Sequence, residues 1–147
     1  MKNIYDEFIK FKKKYPKTIV WRAKKHAKVI EEHINDTEEL LYVFGGQKNK
    51  ASLDLINSCL VAVTSQRLII GSKRLLWGYF FTTITPDLYN DMKIIKNLIW
   101  SDIEIDTVKE HIYISNIDPK GAAEIETVLS EFMLQEKKKY GKHENHV

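Results

Sequence analysis

The chain is poor in the residues that staple or interrupt a fold. Its one cysteine, Cys59, cannot form an internal disulfide. A lone thiol inside the apolar run Cys59-Leu60-Val61-Ala62-Val63 suits a reducing compartment. Free cysteine is generally buried, so Cys59 reads as a small core residue rather than a reactive thiol. No apolar run approaches the ~20 residues that a membrane-spanning helix needs. The opening stretch MKNIYDEFIKFKKK is charged throughout and lacks the apolar segment of a signal peptide. A cytoplasmic protein is expected, with the inner membrane face as a second place for it. Internal repeats and low-complexity linkers are absent.

Signatures of catalysis are equally scarce. There is no Walker-type loop and no GxGxxG. The isolated pair Gly45-Gly46 reads as a turn rather than a phosphate cradle. His26 and His33 share a helical face, but no zinc motif accompanies them, and they read as surface histidines. His143 and His146 offer at most adventitious metal binding in a polar tail. Nothing resembles a nucleophile elbow. Asp102 and Glu104 project from one strand face, which reads as an exposed polar face rather than a catalytic pair. The chain is expected not to be an enzyme and to need no cofactor, metal or small-molecule substrate.

What is present is enough sequence for one domain. A chain of 147 residues buries roughly 68–70% of its unfolded surface. The net charge of +3 hides an asymmetry: residues 1–28 carry +8, residues 29–136 carry −8, and residues 137–147 carry +3. Such a split either marks binding to an anionic surface or lets basic ends dock on an acidic body.

The hydrophobic period divides the chain into elements. Ile4, Phe8, Phe11 and Tyr15 form one stripe of a helix over 3–15, which Pro16 ends. Val20, Ala23, Ala27, Ile30 and Ile34 predict a second helix over 18–34. The period then changes to that of strands: 39–44, 56–64, 67–71, 76–84, 92–95, 98–105 and 111–117. Ser65-Gln66 joins two of these as a short hairpin. Asp118 as N-cap and Pro119 at the first helical position open a closing helix over 119–136. Its stripe is Ala122, Ile125, Val128, Leu129, Phe132 and Met133.

The stretch VAVTSQRLIIG resembles the Thr-x-x-Arg hairpin of bacterial pleckstrin-homology-like domains, the YokE-like group. Glu38-Glu39 stands where that family carries an acidic residue before its first strand. Trp100-Ser101-Asp102-Ile103 matches a pattern on a later strand, and residues 119–136 match its closing helix. The resemblance covers about residues 36–136. It implies an α+β fold: a PH-like antiparallel β-barrel or sandwich capped by a C-terminal amphipathic helix, here preceded by two N-terminal helices. The expected organisation is a helical extension over 1–35, a PH-like domain over 36–138 and a polar tail over 139–147. Residues 85–97 are longer than the family pattern, which leaves strand register there open. The family is regarded as non-catalytic.

The leading functional expectation is an interaction or scaffold module that binds a protein partner or assembles with itself. Trp77, Tyr79, Phe80 and Phe81 are the candidate partner patch. Thr64 and Arg67 are assigned a structural role at the hairpin, where Arg67 pairs with an acidic residue or caps carbonyls. The alternative is peripheral docking on anionic lipid through a basic amphipathic N-terminus. Its candidate residues are Lys10, Lys12, Lys13, Lys14, Lys17, Arg22, Lys24, Lys25 and Lys28, interleaved with Phe8, Phe11, Tyr15 and Trp21. The opposing reading has both helices pack their stripes on the barrel and leave the lysines in water. Nucleic-acid binding is disfavoured, because the body is acidic and no recognition motif occurs.

Overall fold

Asn3 opens the first helix by accepting a hydrogen bond from the Asp6 amide at 3.1 Å. The computed structural model describes residues 3–49 and 53–144. Helix α1 (Ile4–Lys14) has Asp6 and Glu7 in its first turn and lysines in its last, which suits its dipole. Ile4, Phe8 and Phe11 turn inward as one stripe.

Helix α2 (Ala23–Glu31) is shorter than the 18–34 expected. Arg22 adopts a left-handed conformation (φ 60°), so the helix cannot extend backward through it. Residues 17–21 instead lie along the sheet. The amides of Lys17, Ile19 and Trp21 donate to the Asp118 carboxylate, the Asn116 carbonyl and Ser58 Oγ. The N-terminal helices are therefore stitched to the body. Helix α1 packs on strand β1 (Leu40–Gln47), while α2 packs on β2 (Ser58–Thr64) and β3 (Leu68–Lys73).

The remaining strands are β4 (Tyr79–Ile84), β5 (Tyr89–Lys96), β6 (Ser101–Thr107) and β7 (His111–Ile117). They form one antiparallel seven-stranded sheet in the order β4-β3-β2-β1-β7-β6-β5. The sheet is not closed, because β4 and β5 remain edges, so the barrel is an open one. Its two halves meet at the bridge between Gln47 and Ser115. Gly45 and Gly46 are not the turn their sequence suggests; both lie inside β1. A Cβ on Gly46 would stand 2.5 Å from the Ser115 carbonyl oxygen, so this close crossing needs glycine.

Helix α3 (Pro119–Glu144) runs past residue 136, where the apolar stripe fades. Asp118 caps it by accepting from the Lys120 amide. Ala122, Ile125, Leu129, Phe132 and Met133 face inward against β5 and β6. All three helices contribute to one continuous core with Phe44, Leu60, Ile69, Ile103 and Ile114. His146 lies outside the described residues, as does the side chain of His143.

Two further expectations need correction. Strand β4 starts at Tyr79 rather than 76, because Gly78 (φ 80°) closes a turn over 74–78. Asp102 and Glu104 do not form an exposed face: they are 1% and 9% exposed. On that face the paired strands set Ile95 beside Asp102, and Lys93 and Tyr113 beside Glu104. Both carboxylate oxygens of Asp102 lack a hydrogen-bond partner among the described residues. Glu104 is held by His111 at 3.1 Å and Lys93 at 3.4 Å.

Candidate functional site

Three chain segments converge at one end of the sheet. Lys73 pairs with Tyr79 there, whereas Leu68 pairs with Ile84 at the far end. Ser72 Oγ donates to the Ser58 carbonyl, which brings the start of β2 to the same place. Trp21 is tied there by its bond to Ser58, and α2 starts beside it. The β3–β4 turn, the segment before β2 and the start of α2 thus share one rim.

That rim exposes apolar side chains. Leu76 is 79% and Trp77 78% exposed at the tip of the turn. Leu75, Leu53, Leu55, Ile56 and Trp21 are exposed around them. A cluster of large apolar residues in water is the signature of a docking surface rather than of a scattered exposed leucine. The candidate patch inferred from sequence divides here. Trp77 and Tyr79 (49% exposed) are open, while Phe80 and Phe81 are partly covered. Phe81 stacks on His33, with ring centroids 4.3 Å apart, and Lys48 Nζ stands 3.9 Å from the centre of the Phe80 ring.

Cations gather at the same end of the sheet. Lys25 and Lys28 of α2 face Lys73 and Tyr79 across a groove of about 270 Å³, with Val29 and Glu32 completing its wall. Arg22 lies over the Trp21 ring at 5.4 Å. Burial pushes the Lys48 ammonium below the usual lysine range.

His26 locks this end from beneath. It is 1% exposed, not the surface histidine expected. Its Nε2–H donates to the Trp21 carbonyl at 2.7 Å, and its Nδ1 accepts from the Lys73 amide at 2.8 Å. Only the neutral ring serves both partners. Burial is the main cause that lowers its pKa from 6.5 to about 4, and nearby Arg22 and Lys48 lower it further.

The nine basic residues of the N-terminus do not form one face. Lys12 Nζ is turned inward to the carbonyls of Pro16 and Thr18. Lys14 bridges to Glu124 of α3 at 2.6 Å, and Lys10 pairs with Glu7. Lys13 and Lys17 point to water, and Lys24 lies 6.0 Å from the centre of the Tyr5 ring. Arg22, Lys24 and Lys25 lie at the start of α2 and Lys28 in its last turn, and of these Lys25 and Lys28 line the groove with Lys73 and Tyr79. Sequence reasoning missed Lys48 and Lys73, because their approach to this rim depends on strand pairing.

The opposite end holds Thr64 and Arg67. Arg67 Nη2 meets Glu38 Oε1 at 2.7 Å and also donates to the His33 carbonyl. Thr64 Oγ1 donates to the other Glu38 oxygen at 2.6 Å. Burial raises the Glu38 pKa, but the bonds from Arg67 and Thr64 outweigh it and leave the carboxyl below its usual range. Arg67 thus links α2, the chain before β1 and the hairpin.

A second cleft of about 290 Å³ lies between the sheet halves, lined in part by Lys48, Asn57, Phe80, Thr82 and His111. Its histidine is held by Glu104 and Asp106. Cys59 is fully buried, and burial pushes its thiol up to about 12. Among the described residues no group of three His, Cys, Asp or Glu is placed to hold a metal ion.

Residues 34–131 match the family model described as Bacterial PH domain. The fold is similar to a pleckstrin homology domain from Shewanella amazonensis SB2B, at 14% identity over 77% of this chain and 89% of that one (TM-score 0.49). It is also similar to a DUF1696-family protein with a pleckstrin-homology domain from Shewanella loihica PV-4. That match has 12% identity over 77% of this chain and 94% of that one (TM-score 0.50). No curated protein matches the chain.

Proposed function

The chain belongs to the bacterial PH domain family, and we propose that it works as a non-enzymatic docking module. Domains of this fold generally mediate protein or lipid interactions. The end bearing Leu75, Leu76 and Trp77 is the docking surface. The observation that carries this reading is the exposure of Leu76 and Trp77 together at the tip of one turn, beside Leu55, Ile56 and Trp21. A free surface of this kind gains most when a partner covers it. The edge strand β4 starts at the same rim, so a partner seated on Trp77 also reaches unpaired backbone groups.

The buried thiol and the buried imidazole support catalysis poorly. Cys59 is too buried to act as a thiolate, and His26 is committed on both nitrogens. Docking through the apolar stripes of the N-terminal helices is also disfavoured. Phe8, Phe11, Ala27 and Ile30 are already spent in the core.

A photo-crosslinking residue placed at position 77 in cells tests the proposal. The same residue at Asp87, on the turn at the far end, is the control. Adducts at 77 and none at 87 are expected. Equal labelling at both, or none at 77, would overturn the assignment.

A further inference from the structure

Strand β4 is an edge with nothing to guard it. We infer that it receives an extended segment of a partner protein as an added strand, with acidic and apolar side chains in alternation. This rests on the docking assignment above and names the class of partner at that end of the sheet.

An open edge presents a row of unpaired backbone groups, and folded proteins blunt it with charge, proline or a bulge. The other edge, β5, carries Asp91, Lys93 and Lys96, has an irregular register near Tyr89, and packs against α3. Strand β4 reads Tyr79-Phe80-Phe81-Thr82-Thr83-Ile84, with no charge and no proline. Its register with β3 is unbroken. The Arg74 amide donates to the Gly78 carbonyl at the hairpin end, which fixes the alternation of the ladder. Phe80, Thr82 and Ile84 spend their backbone groups on β3. Tyr79, Phe81 and Thr83 turn theirs to the free edge.

That edge runs between two clefts. The groove on the α2 side is walled by Tyr79 with Lys25, Lys28 and Lys73. Phe80 and Thr82 face the other way, into the cleft between the sheet halves, beside Ile70 and Ile112. An added strand sends successive side chains to alternate faces, in step with its neighbour. Residues set beside Tyr79 and Phe81 therefore point to the lysine groove, and those between them point to the apolar cleft. Backbone bonds to the edge supply affinity, and the two clefts supply selectivity.

Charge decides the chemistry of the first set. Lys25, Lys28 and Lys73 are in no ion pair among the described residues. Glu32 is the one carboxylate on their groove wall. Elsewhere the lysines of this chain find carboxylates, as Lys10, Lys14, Lys93 and Lys139 do. Acidic side chains on the added strand complete the groove. Asp87 follows β4 at its far end and turns an acidic segment away. The added strand thus covers the half of β4 nearest Trp77.

The test uses the full chain and a labelled short peptide of alternating glutamate and valine. One control has the same composition with its glutamates and valines in separate blocks. Another alternates lysine with valine. Binding of the alternating glutamate peptide alone is expected by fluorescence anisotropy. Amide hydrogen exchange, followed by NMR, should slow about tenfold or more at Tyr79 and Phe81 when it binds, and stay unchanged at Asp87. Methylating one set of alternate peptide nitrogens should abolish binding, while methylating the other set should leave it. The triple variant Lys25→Gln, Lys28→Gln, Lys73→Gln should weaken binding about tenfold. Thermal unfolding checks that this variant is folded. Binding without slowed exchange at Tyr79 and Phe81 would overturn the inference. So would equal binding of either control, or no binding at all. If position 77 still crosslinks to a protein in that case, the docking end stands and only strand addition falls. If it does not crosslink, both readings fall.

Discussion

Acidifying the protein should loosen the docking end through one side chain, His26. In the unfolded chain a histidine titrates near 6.5; in the fold this one is lowered to about 4. The native state therefore favours the neutral ring, and the unfolded chain binds more protons between those two values. Stability from this group is fully present above pH 6.5, falls as pH drops through the window, and is gone below about 4. The full difference corresponds to about 3 kcal/mol, of which about 2 kcal/mol is lost between pH 7 and pH 5. The geometry supplies the cause, since a protonated Nδ1 would point a proton at the Lys73 amide it now accepts from. His26→Asn offers a non-titrating test, because its amide oxygen can take the place of Nδ1. Urea unfolding at pH 7 and pH 5 is the assay. The parent chain should lose about 2 kcal/mol more than His26→Asn over this interval. Glu38 and Glu124 have lowered pKa values and lose their contribution only below the ordinary carboxylate range, so they should not obscure the comparison. Equal losses in both proteins would refute the reasoning.

Three other outcomes follow from the packing. Arg67→Met leaves the buried Glu38 carboxylate without its cation and should cost about 3 kcal/mol, while adding Glu38→Gln should recover part of that loss in urea unfolding. Gly46→Ala pushes a methyl group against the Ser115 carbonyl and Ile114, and should cost about 1–3 kcal/mol by thermal unfolding. Cys59 should resist a thiol reagent in the native protein and react at once in urea; rapid native labelling would contradict its burial.

The sequence carried the local structure well wherever a single period ran uninterrupted. The stripe of α1, the Asp118-Pro119 start of α3 and the strand over 111–117 could be read directly, because each depends on neighbours a few residues apart. The Thr-x-x-Arg hairpin was legible through its family resemblance. What failed depended on partners distant in the chain. Gly45-Gly46 looks like a turn until Ser115 is brought against it. Asp102 and Glu104 look exposed until Ile95, Lys93 and Tyr113 are paired beside them. Arg22 stops α2 by its backbone conformation, which no periodicity reveals. The docking end was half visible: Trp77 and Tyr79 stood out as rings, and Lys25 and Lys28 as charges. Only the pairing of Lys73 with Tyr79 and the seating of α2 on β3 bring them together.

The central claim is that the end bearing Trp77 is covered when the protein works. Hydroxyl-radical footprinting of the full chain in cells, compared with the purified protein, measures this directly. Leu76 and Trp77 should be protected in cells and reactive when purified, while Leu134 on α3, also exposed, should react alike in both. Equal reactivity of Leu76 and Trp77 in the two settings would contradict the account.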